Sequence, residues 1–163
     1  MDKNTEIKLD SIFKAYQQKA DLAQQAQVDK ENLESEFLKR FLVHRDDVVG
    51  PALESFAIAV EEKGVSCRID RREDRTARDL QDELASISIT FLVGEDGRRR
   101  DLQQYPHLAI VCDKREQKVR IHISTMAPGR GGQSGAIGSF LLEQVDASFI
   151  NEKLLDLLKK ILL

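Results

Sequence analysis

The amino-acid sequence predicts an α+β domain carrying a long helical arm at its N-terminus. Three observations lead there. From Glu6 to His44 there is no Gly and no Pro, and Ala, Gln, Glu, Lys and Leu dominate, all good helix formers. From Val65 to Ser124 short runs alternate apolar and polar residues and are bounded by turn residues, which is the period of half-buried strands. The last residues, from Asp146 onward, return to helical spacing. Strands joined by short turns favour antiparallel pairing. The expectation is therefore a long N-terminal helix, possible break near residue 28 included, then a second helix, a mostly antiparallel sheet of about five strands, and a closing C-terminal helix. The expected division is 1–45 for the arm and 46–163 for the domain.

In the arm, Leu9, Phe13, Tyr16, Ala20 and Ala23 recur at 4-3-4-3 spacing, which lays one narrow stripe along a helix. Gln27, Lys30 and Glu34 occupy its continuation, and a second stripe starts at Leu33, Phe37, Leu38 and Phe41. The polar stretch between predicts either one bent helix or two helices meeting near Val28. A further helix is expected from Asp46 to Lys63, with acids at its start, Pro51 in or near its first turn and Gly64 after its last.

Val65–Asp70 and Ser86–Val93 read as strands, and the charged segment Arg71–Glu83 as a loop or short exposed helix. Gly94 to Gly97 marks a turn. The sharpest local expectation is a hairpin of His107–Asp113 and Lys118–Ser124 around a turn at Lys114–Gln117. That register pairs Cys112 with Val119, Ile110 with Ile121 and Leu108 with Ile123. All six then share a face, and a slip of one residue would undo this. The opposite face carries His107 and His122 as diagonal neighbours. Residues 126–138 hold five glycines and read as an irregular connector. A last strand is expected at about Ser139–Val145, before a helix capped by Asp146 or Ser148. Ile161, Leu162 and Leu163 are apolar enough to predict a cover, either the sheet or a partner chain.

Composition bounds function. The formal net charge is -3 and there is no Trp, which argues against a nucleic-acid-binding chain. No apolar run approaches the roughly 20 residues that span a bilayer, so no membrane role is expected. Cys67 and Cys112 lack zinc or redox spacing and fit a reducing cytoplasm. The run Gly129–Gly138 lacks the Gly-Lys-Ser/Thr ending and following helix of a phosphate loop. Ala136 stands where a nucleophile elbow needs its second glycine. His107, His122 and Asp113 share a face but are too spread to ligate one metal. No catalytic residue, metal or cofactor is expected.

Two functional expectations remain. The first is a non-enzymatic protein that self-associates or docks a protein partner through its arm, at Leu9, Phe13, Tyr16, Ala20 and Ala23, and through its C-terminal helix. Its balanced charge, eight basic and eight acidic side chains in residues 1–45, speaks against an electrostatic arm for membranes or nucleic acid. The alternative is an anion- or ligand-binding domain using Lys118, Arg120, His122 and Arg130, the net positive region around the hairpin and the Gly-rich segment.

Overall fold

A computed structural model of the chain describes residues 1–75, 83–94 and 102–163. Helix α1 spans Lys3–His44, a π-helical turn Arg45–Val49 follows, and helix α2 spans Gly50–Glu61. Strands β1 (Cys67–Arg72), β2 (Ser86–Phe91), β3 (His107–Asp113), β4 (Lys118–Ser124) and β5 (Ser134–Phe140) come next, and helix α3 (Ala147–Leu162) closes the chain. The strands form one antiparallel meander in the order β1-β2-β3-β4-β5. The fold class is the α+β architecture expected.

Helix α1 does not break near Val28. The polar stretch supports itself: Gln25 Nε2 donates to Asp29 Oδ1 at 3.0 Å and Gln27 Nε2 to Glu31 Oε1 at 3.1 Å. These are i,i+4 bonds, which steady a solvated helix. The chain separates into two compact units, Met1–Glu36 and Phe37–Leu163. Phe37 and Phe41 are core residues of the second unit.

The helix expected to start at Asp46 starts at Gly50 instead. No helix end lies at Asp46, because the backbone stays helical from α1 through the π-helical turn into α2; its carboxylate pairs with Arg45 Nε at 3.0 Å. The Arg45 side chain is buried, donates to the Arg72 carbonyl at 3.1 Å and pairs with Glu73 at 2.9 Å. A buried guanidinium needs such partners, and they hold the π-helical turn against the end of β1. Pro51 does lie in the first turn of α2.

The hairpin register is the one expected, from His107↔Ser124 to Asp113↔Lys118. Its inner face joins Ile87, Ile89 and Phe91 of β2, Leu53 and Val60 of α2, and Ile150, Leu154 and Leu157 of α3 in one buried cluster. Asp146 caps α3, accepting from the Phe149 N–H at 2.8 Å.

Two expectations are corrected around the sheet edges. Arg71 and Arg72 belong to β1 rather than to a loop. They charge an edge strand, which discourages pairing with another sheet. Likewise β5 begins at Ser134 and ends at Phe140, so half of the Gly-rich segment is strand, and Leu142–Gln144 is a 3₁₀ turn. Its register shifts opposite Ile121 and His122, leaving Ile137 as the extra residue. Glycine is tolerated at such an edge bulge. The middle of the expected Arg71–Glu83 loop, and the expected turn beyond Gly94 with Arg98–Arg100, lie outside the described residues.

Candidate functional site

The sheet packs one face on the helices, and the registers place the residues of its other face in three cross-strand rows. The first runs Arg72, Ser86, Val111, Arg120. The second runs Asp70, Ser88, Ala109, His122, Ala136. The third holds Thr90, His107, Ser124 and Ser134. Ser86, Ser88, Ala109 and Ala136 are small, and the longer Arg72, Arg120, His107 and His122 stand around them. The result is a concavity of about 720 Å³, walled by Leu102–Gln104 and Met126. Its size matches the pockets that take small ligands.

Arg72 and Arg120 lie on the first row three strand spacings or roughly 14 Å apart by Cα. Arg120 Nε pairs with Asp113 at 3.3 Å, and Asp70 accepts from Arg68 at 3.1 Å. Each carboxylate on this face thus has its own arginine, and Arg72 adds a net positive charge. Planar guanidinium forks match carboxylate and phosphate groups.

The imidazoles of His107 and His122 lie nearly parallel at the centre, 5.8 Å apart by centroid and 13° between planes. His107 Nδ1 lies 2.9 Å from the Tyr105 carbonyl. A carbonyl only accepts, so Nδ1 carries the hydrogen and Nε2 of the neutral ring is an acceptor. His122 Nε2 lies 3.0 Å from Ser134 Oγ. Burial, and then the neighbouring His107, hold His122 below its ordinary pKa. Serine and threonine hydroxyls around the pair act as donors or acceptors.

Of the basic residues singled out from the sequence, Arg120 and His122 line this concavity. Lys118 lies farther along β4 opposite Asp113. Arg130 occupies the β4–β5 connection, where its N–H donates to the Ala127 carbonyl at 3.1 Å. Sequence reasoning missed Arg72, because it fell in the charged segment read as a loop or short exposed helix. Only the β1–β2 register, with Arg72 opposite Ser86, reveals its face. The Gly-rich connection is ordered by its own bonds: Thr125 N–H donates to the Gln133 carbonyl at 2.8 Å and Gln133 N–H to Thr125 Oγ1 at 3.0 Å. It closes a hairpin, and no phosphate-loop helix follows it.

Other chemistry-bearing groups lie apart from the concavity. Burial pushes the Cys112 thiol up to about 12 and Cys67 to about 11, so neither is a thiolate nucleophile near neutral pH. Among the described residues no three His, Cys, Asp or Glu side chains form a group able to hold a metal ion, and no helix is long and apolar enough to cross a membrane. In the arm, Leu9, Phe13 and Tyr16 are exposed, and so are Ala20 and Ala23. On α3, Ile161 packs against the core, while Leu162 and Leu163 stand exposed. No family model, no curated protein and no solved structure matches the chain.

Proposed function

We propose that the compact unit is a binding module whose sheet face away from the helices takes a small, hydrogen-bonding anion, a carboxylate or phosphate compound. The supporting observation is the concavity that gathers Arg72, Arg120 and the His107–His122 pair over a floor of Ser and Ala. An anion between the arginines meets two guanidinium forks, and the hydroxyls supply neutral hydrogen bonds on its uncharged parts. A protonated His122 would add charge, so binding strengthens as pH falls through its lowered pKa.

Calorimetric titration of the protein with inorganic phosphate, pyrophosphate, succinate and citrate tests this, at about 50 mM salt where charge is weakly screened. Saturation at about 100 times the dissociation constant should stabilise the fold by about 2.7 kcal/mol. Arg72→Ala and Arg120→Ala should each weaken binding at least several-fold without unfolding the protein. No heat with any probe, at acid or neutral pH, defeats the reading.

A further inference from the structure

The arm, described by itself, carries a second inference. Residues Met1–Glu36 form a separate unit, and an isolated helix draws little stability from its own backbone. Yet its large apolar side chains stand in water: Ile12 is 64% exposed, Phe13 63% and Tyr16 71%. A stripe of this kind is stabilised by burial against a partner. Its charges and sizes say which partner and which way round. Residues 1–19 carry Lys3, Lys8, Lys14 and Lys19 against three acids, a net charge of +1. Residues 20–36 carry Lys30 against Asp21, Asp29, Glu31, Glu34 and Glu36, a net charge of -4. The stripe divides in the same sense, with Leu9, Phe13 and Tyr16 in the first half and Ala20 and Ala23 in the second.

We infer that the arm pairs with the arm of a second copy of this chain, antiparallel. That arrangement sets the basic half of each arm against the acidic half of the other. With Tyr16 meeting its own copy at the centre, it also sets Leu9 against Ala23 and Phe13 against Ala20, an alternation that fills an interface without voids. A parallel pair does the reverse. It puts -4 against -4, stacks Leu9 on Leu9 and Phe13 on Phe13, and leaves the alanines facing across a gap. The protein's own sequence thus supplies a complement to each half of the stripe.

Sedimentation equilibrium on the full chain should give the mass of two copies, and Phe13→Glu with Tyr16→Glu should give one. Both residues lie outside the compact unit's core, so the variant keeps its fold, checked by circular dichroism. Orientation is read in two ways. Raising NaCl from about 50 to 300 mM should weaken an antiparallel dimer a few-fold, because it screens attraction; it should tighten a parallel one by screening repulsion. Zero-length carbodiimide coupling of a mixed ¹⁴N/¹⁵N dimer should join Lys3 of one copy to Asp29 or Glu31 of the other, the acids that the stripe's antiparallel register brings opposite it. Four outcomes overturn the inference: a monomeric wild type, a dimer that survives the double substitution, tightening by salt, or inter-copy coupling of Lys30 to Glu31 or Glu34.

Discussion

His122 shows how a single side chain can report on a whole sheet face. Its pKa is held below the ordinary 6.5, first by burial and then by the neighbouring His107. The folded state therefore disfavours the protonated ring, while the unfolded chain takes up the proton at its ordinary value. As pH falls through that value the unfolded state gains protons first, so stability declines. Thermal unfolding between about pH 7.5 and pH 5.5 should show the midpoint falling on acidification, and His122→Asn should flatten part of that fall. A bound anion reverses the sign, because it favours the protonated ring. Gly132 is a second residue whose identity matters. Its φ is +149° and an added Cβ would lie 2.7 Å from backbone atoms of Thr125 and Met126. Neither the conformation nor the approach suits an L side chain. Gly132→Ala should cost roughly 1–3 kcal/mol in denaturant unfolding, whereas a surface substitution should be nearly neutral. The importance of this glycine is invisible in a string of five; it depends on the strand end that folds back against it.

At the scale of elements, periodicity was the legible part. The β3–β4 register followed from alternation, because any slip would move Ile110, Ile121 and their neighbours into water. Ile121→Ala should destabilise by about 2–5 kcal/mol, measured as a shift in urea midpoint with little change in slope, while the exposed Lys118→Ala should change it by about 0.5 kcal/mol or less. The C-terminal helix was legible as well, through its stripe and its Asp146 cap. Elements without a pattern were not legible. Strand β5 reads Ser-Gly-Ala-Ile-Gly-Ser-Phe, which lacks alternation, and it exists because β4 offers an unpaired edge. The start of α2 was misplaced too. Acids suit a helix N-terminus, but at Asp46 the backbone is already helical, running from α1 through the π-helical turn into α2.

For the molecule as a whole, the compact unit begins inside α1. Phe37 and Phe41 are 4% and 1% exposed, within the same core as β2, β3 and α3. A chain beginning at Asp46 loses both rings, at roughly 3–5 kcal/mol each by analogy with core truncations, and should lose cooperative unfolding. A chain beginning at Glu36 keeps them and should melt close to the full protein. The sequence alone determined the helical arm, the hairpin and its register, and the class of fold, since each of these is a repeating pattern that one face of one element must satisfy. Tertiary structure decided the extent of the compact unit, the fifth strand and the meeting of Arg72 with Arg120 and the two histidines. Those depend on which strands lie side by side, and pairing between segments distant in sequence leaves no periodic mark on either of them.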